Sequence, residues 1–305
     1  MLRTILFLLT TLIALPFIAF KYDEALAPQH WATLESLVQI MLAVALSCFV
    51  VSELTGNCSQ VDKLWSIVPM VYVWLVAQES GFSDRVVLMA GLTTVWALRL
   101  TFNFWRRGGY HWIPWKGEED YRWSVLRQNP LLHGRFRWAL FNLFFISIYQ
   151  NTLILLFTLP VLVAWQGADS PLNSLDYLAA GLFLALVIFE TVADQQQWNF
   201  QQEKHRRLAA GEPLGETYER GFCTSGLWAK IRHPNYAAEQ AIWLSFYLFS
   251  VAATGRWLNW SLAGAILLML LFLGSSDFSE KISAEKYTGY GDYQKRVGRF
   301  LPKLF

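Results

Sequence analysis

Long apolar runs separated by polar segments fill most of the sequence. A helix needs about 20 apolar residues to cross a bilayer. The runs cover roughly residues 4–20, 33–54, 64–80, 86–104, 138–166, 174–194, 238–254 and 257–275. This pattern predicts an all-α, polytopic integral membrane protein, a helical bundle with about seven to eight spans. The fifth run is overlong and is interrupted by Gln150 and Asn151, so we expect it to tilt, break or form a re-entrant pair.

The basic residues between the runs predict the orientation of the chain, because Lys and Arg are enriched on the cytoplasmic side of membranes. If the N-terminus is cytoplasmic, segments 105–137 and 195–237 and the tail after residue 275 lie on that side and hold most of the 25 Lys and Arg residues. The opposite side holds only Lys21, Arg85 and Arg256. We therefore expect both termini in the cytoplasm and an uncleaved first helix rather than a signal peptide.

The composition agrees with a membrane protein. The chain is 54% hydrophobic and only 16% charged, whereas soluble domains are about 25% charged. A net charge of +2 gives no sign of nucleic-acid binding. The 3 Cys and 5 His residues lack metal-ligand spacing, so we expect no metal site. Without an internal repeat, a linker or a Gly-rich dinucleotide motif, the chain is predicted to be one integral membrane domain over residues 1–305.

The densest group of chemically active side chains precedes the run 238–254. It contains Lys230, Arg232, His233, Asn235 and Tyr236. The intervening proline suits the first turn of a helix, whose N-terminal amides and neighbouring cations form an anion site that can hold phosphates. The amide of Asn235 can hydrogen-bond to an amide or a sugar. The alternative is a basic turn that contacts lipid phosphates.

Two further groups fall on the same side of the membrane. Glu190 and Asp194 are four residues apart and share one face of a helix, which Gln197 continues. These carboxylates could accept hydrogen bonds from ribose hydroxyls or an amide, or could form a solvated helix end. The tail 280–296 alternates charges with three tyrosines. It fits an amphipathic surface helix, or a lid that closes with Lys and Tyr over a phosphate or a flat ring.

The N-terminal half offers two candidates for substrate chemistry. Asp62 lies at the foot of a predicted span, and Tyr121 follows an acidic segment. A tyrosine can donate a proton to a reacting carbonyl, and a carboxylate can orient it. Most tyrosines at a membrane interface only anchor the chain, so that alternative stays open.

Six segments together resemble the steroid 5-alpha-reductase C-terminal family, most closely its bacterial branch, the domain of unknown function 1295. They are residues 57–65, 96–100, 119–123, 193–196, 226–239 and 280–293. They occur in the expected order over nearly the whole chain. The segment 226–239 is the most specific. It is also similar to sterol C14- and C7-reductases, and isoprenylcysteine methyltransferases carry a shorter His-Pro-x-Tyr form.

The resemblance implies an all-helical membrane fold in which residues 138–305 hold NADPH and residues 1–137 form the substrate half. It also implies the inner membrane of a bacterium, with the cofactor site facing the cytoplasm. The expected cofactor residues are Asp194, Gln197, Gln201, Trp228, Arg232, His233, Asn235, Tyr236, Ser283, Lys286 and Tyr287. Many relatives have a Lys and an Arg where this chain has Gln197 and Gln201. Lys204, Arg206 and Arg207 could supply the missing charge.

We therefore expect an NADPH-dependent reductase of an activated carbon–carbon double bond in a lipid-like, enone-type substrate. Asp62 and Tyr121 are the catalytic candidates, chosen by location, because the catalytic residues of steroid reductases have no clear match here. The expected partners are this substrate and membrane lipids; no protein partner can be inferred. The alternatives are a methyltransferase of the isoprenylcysteine type that uses S-adenosylmethionine, and a non-enzymatic membrane protein that retains the fold.

Overall fold

The structure, a computed structural model, describes residues 2–113 and 115–303. It is 75% helical and has no sheet in this part of the chain. The helices are α1 (Leu2–Lys21), α2 (Pro28–Thr55), α3 (Gln60–Leu64), α4 (Ile67–Glu79), α5 (Asp84–Arg106), α6 (Tyr121–Arg127), α7 (Arg135–Phe141), α8 (Gln150–Thr158), α9 (Pro160–Gln166), α10 (Ser174–Ala210), α11 (Gly215–Glu219), α12 (Pro234–Thr254), α13 (Leu262–Lys286) and α14 (Tyr290–Arg296). A π-helix, Asn142–Tyr149, joins α7 to α8, and a 3-10 turn, Gly226–Ala229, precedes α12.

Five helical segments are long and apolar enough to cross a membrane. They are Pro28–Thr55, Asp84–Arg106, Arg135–Gln166, Ser174–Ala210 and Leu262–Lys286. Two shorter apolar helices, Ile5–Lys21 and Ile67–Glu79, accompany them among the described residues. The prediction of an all-α membrane protein is therefore confirmed, while the number of spans and the side of the termini stay predictions.

Two predicted runs differ from the helices that form. The run 257–275 was expected to begin five residues before α13, but Asn259 holds a turn there. Its side-chain Nδ2 donates to Ser250 Oγ at 2.9 Å, and its side-chain Oδ1 accepts from Ser261 Oγ at 2.6 Å. The run 64–80 is likewise shorter, because α3 ends at Leu64 and α4 begins at Ile67. Side-chain hydrogen bonds to nearby groups compete with helix formation at such positions.

The fifth run forms a bent helical segment rather than one regular span. Asn151, near the start of α8, donates through Nδ2 to the carbonyl oxygen of Ser147 in the π-helix at 2.8 Å. Pro160 then ends α8, because proline lacks the amide that would continue the ladder. The most apolar window of this segment is 83% buried. Most of this segment is therefore buried inside the protein.

The chain divides into two compact units, called unit 1 (Met1–Gly181 and Trp243–Leu270) and unit 2 (Leu182–Ile242 and Leu271–Phe305). These boundaries differ from the predicted halves 1–137 and 138–305, whose separate roles stay predictions. In unit 1 the buried Trp243 contacts two aromatic rings, Trp96 at 5.0 Å and Phe157 at 4.2 Å between ring centroids. Aromatic pairs of this geometry add to the stability gained from burial alone.

Unit 1 also buries an ion pair at the start of α5. Arg85 and Asp176 are 2% and 0% exposed and form two hydrogen bonds of 2.8 and 2.9 Å. The remaining donors of Arg85 reach the carbonyl oxygens of Gly167, Ser170 and Pro171. A buried charge is tolerated when its donors are satisfied in this way. The pair therefore fixes the loop between α9 and α10.

Candidate functional site

Unit 2 contains every residue that the sequence predicts for the cofactor. They belong to four parts of the unit: α10, the 3-10 turn with the start of α12, the end of α13, and the tail that contains α14. The geometry can therefore be described within one unit. The roles of the individual residues in binding stay predictions.

A carboxylate and an amide meet where α12 begins. Asn235 Nδ2 donates to Asp194 Oδ1 at 3.2 Å, and Asn235 Oδ1 accepts from the backbone amide of Tyr236 at 3.0 Å. Asp194 is buried, as is Glu190 one turn earlier on α10, whereas Asn235 is half-buried. The amide of Asn235 is thus held at both ends, so its orientation is set before any ligand arrives.

The 3-10 turn is attached to α10 by two hydrogen bonds. The amide of Leu227 donates to Gln196 Oε1 at 2.9 Å, and Trp228 Nε1 donates to the carbonyl oxygen of Ala193 at 3.0 Å. Gly226 has a φ of +60°, and a Cβ there would lie 2.5 Å from Gln196. Glycine is needed both for this left-handed backbone and for the close approach. The turn consequently places the half-buried ring of Trp228 beside the residues around Asp194.

A buried carboxylate organises the segment that precedes α12. Glu280 accepts from Arg232 through two hydrogen bonds of 2.7 and 3.2 Å, and its Oε1 lies 2.8 Å from His233 Nε2. Gln294 Nε2 donates to the same carboxylate at 2.7 Å. Arg232, His233 and Glu280 are all buried. Glu280 was not predicted as a site residue, because no local pattern links it to a residue 48 positions earlier.

Arg232 also holds the tail of the protein. Its Nη1 donates to the carbonyl oxygens of Gln294 at 3.0 Å and of Val297. Its backbone amide donates to Gly298 at 2.8 Å, and the next amide, of His233, donates to Arg299 at 3.0 Å. Most donors of Arg232 are therefore used inside the protein. A direct contact with phosphate, as the sequence suggested, would require the guanidinium to exchange some of these partners.

The tail carries an aromatic cluster that closes over the 3-10 turn. Tyr293 Oη donates to the carbonyl oxygen of Trp228 at 2.5 Å. Phe222, Tyr290 and Tyr293 are buried together, and Tyr287 packs against them. Burial raises the pKa of Tyr293, so its hydroxyl stays protonated and able to donate this hydrogen bond.

Two lysines flank a tyrosine at the end of α13. The ammonium groups of Lys204 and Lys286 lie 5.6 and 5.2 Å from the centroid of the Tyr287 ring. Lys204 also donates to the carbonyl oxygen of Gly221 at 3.2 Å. The backbone amide of Tyr287 donates to Ser283, whose side chain is half-buried. Basic side chains around an aromatic ring can hold an anion and a flat ring together.

The other cations that could replace the missing Lys and Arg are already paired. Arg206 and Arg207 both bind Glu203, with N–O distances of 2.9 and 2.7 Å. Gln197 and Gln201, which stand where relatives have the basic residues, are half-buried. Within the described part of the chain, Gln197 Oε1 is buried without a hydrogen-bond partner. Such an atom is costly unless a ligand or water completes it.

In unit 1, the structure joins two segments that are about 60 residues apart in sequence. Asn57 Nδ2 donates to the carbonyl oxygen of Gly117 at 3.0 Å, and the amide of Cys58 donates to Glu119 Oε1 at 2.6 Å. Asp62 Oδ2 accepts from the indole of Trp123 at 3.2 Å. Burial, together with the charge of the neighbouring Asp120, raises the pKa of Asp62.

The second catalytic candidate has a more open position. Tyr121 is the first residue of α6 and is 54% exposed. It follows Asp120, which caps the helix by accepting from the amide of Arg122 at 2.9 Å. The structure thus places Asp62 and Tyr121 on the two joined segments of unit 1. Their catalytic roles remain predictions. No group of three metal-ligating side chains occurs among residues 2–113 and 115–303.

These features describe a helical membrane protein with a preorganised polar site in unit 2. The chain belongs to a family described as "Protein of unknown function (DUF1295)", whose model matches residues 48–297. It is also similar to "Uncharacterized protein C594.04c" of Schizosaccharomyces pombe, with 39% identity over 265 residues, which cover 83% of this chain and 75% of the relative. No solved structure matches the chain.

Proposed function

We propose that the protein is a membrane-embedded, NADPH-dependent reductase of an activated carbon–carbon double bond in a lipid-like substrate. The observation that carries the proposal is the hydrogen bond between Asn235 and the buried Asp194 at the beginning of α12. It puts a fixed amide and a fixed carboxylate next to each other, and both are groups that recognise a nucleotide. The resemblance to steroid and sterol reductases supports the same assignment.

The chemistry of the surrounding donors fits NADPH. Asp194 can accept from ribose hydroxyls, and Asn235 can bind the carboxamide of the nicotinamide. Lys204 and Lys286 beside Tyr287 offer cations for phosphate and a ring for stacking. When bound, NADPH supplies the hydride for the reduction.

The buried network around Glu280 has a positioning role in this proposal. Arg232 and His233 precede α12 directly, and both contact the same carboxylate. They therefore hold the segment that carries Asn235, and Tyr236 follows with its ring stacked on His233 at 5.3 Å. Fixed groups bind a ligand more tightly than mobile ones, because less conformational entropy is lost on binding.

Asp62 and Tyr121 are the residues that we assign to the substrate. The raised pKa of Asp62 favours its protonated form, which can donate a hydrogen bond to a carbonyl or hold the phenol of a tyrosine in place. A proton held near the substrate carbonyl would stabilise the enolate that forms when the conjugated double bond is reduced. These assignments rest on the chemistry of the side chains and on their place in unit 1.

A ligand screen tests the proposal directly. The purified protein in detergent is titrated with NADPH, NADH and S-adenosylhomocysteine while thermal stability and nicotinamide fluorescence are followed. We expect NADPH to stabilise the protein, and Asn235→Ala to abolish that effect. Gln202→Ala, an exposed neighbour on α10, is the matched control and should bind as the wild type does.

Three results would count against the reductase. An absence of any NADPH-dependent shift would contradict cofactor binding. A shift with S-adenosylhomocysteine alone would favour the methyltransferase alternative. An Asn235→Ala protein that functions normally in cells would favour a non-enzymatic role.

A further inference from the structure

A cleft in unit 1 lies where two candidate spans end. α2 ends at Thr55 and α5 ends at Arg106. The loop that follows α5 borders a cleft of about 830 Å³. This volume is within the range of small-molecule sites, which is about 300–1,000 Å³. Its lining includes Leu54, Tyr110, His111, Trp115, Lys116 and Glu118.

The backbone of this loop is held by a buried lysine. Lys63 is 5% exposed, and its ammonium group donates to the carbonyl oxygen of Lys116 at 2.7 Å. Tyr110 Oη in turn donates to the carbonyl oxygen of Lys63 at 2.6 Å. Burying an ammonium group is unfavourable unless its donors are satisfied. The loop is therefore anchored through its main chain, and the side chain of Lys116 remains exposed.

Two more features restrict the loop near the cleft. Gly117 has a φ of +122°, and a Cβ there would lie 2.3 Å from the carbonyl oxygen of Gly109. His111 Nδ1 accepts from the amide of Ile113 at 3.0 Å, so the neutral ring carries its proton on Nε2. His111 is thus oriented with a free donor. A rigid loop with exposed functional side chains is typical of a binding site.

The exposed side chains match the two charges of a zwitterionic lipid headgroup. Lys116 and His111 provide donors for a phosphate, while Glu118 and the face of Trp115 suit an ammonium group. Trp112, which is 99% exposed, and Trp115, which is 51% exposed, are residues that favour the membrane interface. Leu54, at the end of α2, is 80% exposed and offers an apolar contact.

We propose that this cleft binds the headgroup of a zwitterionic phospholipid. The phosphate lies near Lys116 and His111, the ammonium group lies near Glu118 and Trp115, and the acyl chains lie against Leu54 at the end of α2. The site is independent of the proposed reductase activity. It would fix the loop between α5 and α6 at the membrane surface.

The test uses the full-length protein, delipidated in detergent. Native mass spectrometry and thermal unfolding are recorded with phosphatidylethanolamine, phosphatidylglycerol, diacylglycerol and inorganic phosphate. We expect phosphatidylethanolamine to be retained in preference to the other three. Lys116→Gln and Glu118→Gln should each weaken its retention by about tenfold, since each removes one charge-assisted contact. Lys21→Gln, which changes an exposed lysine outside the cleft, should leave retention unchanged.

The possible outcomes separate the sources of binding. Equal retention of phosphatidylglycerol would replace the zwitterionic site with an anion site, and an equal shift with inorganic phosphate would show that no lipid is needed. Equal retention of diacylglycerol would show that only the acyl chains are bound. Unchanged binding by both cleft variants, with folding verified by circular dichroism, would also overturn the proposal.

Discussion

The guanidinium of Arg232 and the carboxylate of Glu280 form a two-point ion pair that is almost completely buried, with side chains 9% and 4% exposed. The pair joins the segment before α12 to the end of α13. Because Arg232 also binds carbonyl oxygens of the tail, one ion pair connects three parts of unit 2. The proposed cofactor site therefore depends on an interaction that does not need to touch the cofactor.

Replacing Glu280 with Gln should destabilise unit 2 strongly. It leaves a buried guanidinium without its counter-ion, and the loss of one partner of a buried pair costs about 3–5 kcal/mol. The thermal unfolding midpoint should fall, and limited proteolysis should cleave the tail earlier. The double variant Arg232→Met/Glu280→Met should recover part of the loss, because it removes the uncompensated charge.

The neighbouring pair Lys281–Glu285 provides a control for this prediction. Its N–O distance is 3.9 Å and both side chains are mostly exposed, so Glu285→Gln should change stability by less than about 0.5 kcal/mol. If Glu285→Gln and Glu280→Gln were equally stable, the ion pair with Arg232 would not hold the tail.

Lys204 should determine the preference for NADPH over NADH. If its ammonium group meets the additional phosphate of NADPH, Lys204→Gln removes one charge-assisted contact, which is worth about 1.5–3 kcal/mol. The Kd for NADPH should then rise by at least about tenfold, while the Kd for NADH changes little. Fluorescence titrations with both nucleotides measure this difference.

Arg206→Gln is the matched variant for that measurement. Arg206 is a cation on the same helix, but it pairs with Glu203 and Glu212 at the surface. Its loss should not change the ratio of the two Kd values. If the Kd for NADPH rose relative to the Kd for NADH by the same factor in both variants, the cause would be a general effect of net charge rather than a contact with phosphate.

The pattern of long apolar runs was sufficient to predict the helical architecture, because burial in lipid or in the core acts along whole helices. It failed at residues 257–261, where the hydrogen bonds of Asn259 end the helical pattern locally. It also could not separate α3 from α4. These boundaries depend on individual side-chain contacts, and a hydropathy pattern does not contain them.

The roles of the site residues stay predictions, and the contacts among them were predictable only in part. The sequence placed Asp194 and Asn235 on the same side of the membrane, and the structure joins them by a hydrogen bond. It gave no indication that Glu280 would pair with Arg232, or that Lys63 would be buried under Lys116. Such partners are far apart in the chain, and only the packing of the helices decides which of them meet.

Gly226→Ala should disturb the 3-10 turn and lower the thermal stability of the protein. The new Cβ would displace the side chain of Gln196, whose Oε1 accepts from the backbone amide of Leu227. Losing this hydrogen bond should lower the free energy of unfolding by about 0.5–1.5 kcal/mol, in addition to the cost of the backbone strain. Gly211→Ala isolates that strain, because Gly211 has a φ of +66° with no atom within 4 Å of its ideal Cβ position. Thermal unfolding of both variants gives the difference, and equal losses would show that the contact with Gln196 is unimportant.

The titration of Asp62 and Asp120 should affect stability in opposite directions. Burial raises the pKa of Asp62, so its folded state binds the proton more tightly; the stabilisation is complete below the unfolded pKa of about 3.9 and is lost as the pH rises through the folded value. Burial also acts to raise the pKa of Asp120, but the charge and hydrogen bonds of Arg122 outweigh it and lower that pKa. Its stabilisation is present above the unfolded pKa and is lost as the pH falls.

Two substitutions separate these contributions. Relative to the wild type, Asp62→Asn should gain stability as the pH rises above about 3.9, because ionisation of Asp62 is less favourable in the folded wild type than in the unfolded chain. Asp120→Asn should be less stable than the wild type at pH values above about 3.9, where the pair with Arg122 is fully formed, and the difference should shrink as the pH falls below that value. Unfolding midpoints at several pH values measure both trends. If Asp62→Asn folds well at pH 7 but loses reductase activity, the carboxyl group acts on the substrate; if it keeps full activity, Asp62 has only a structural role.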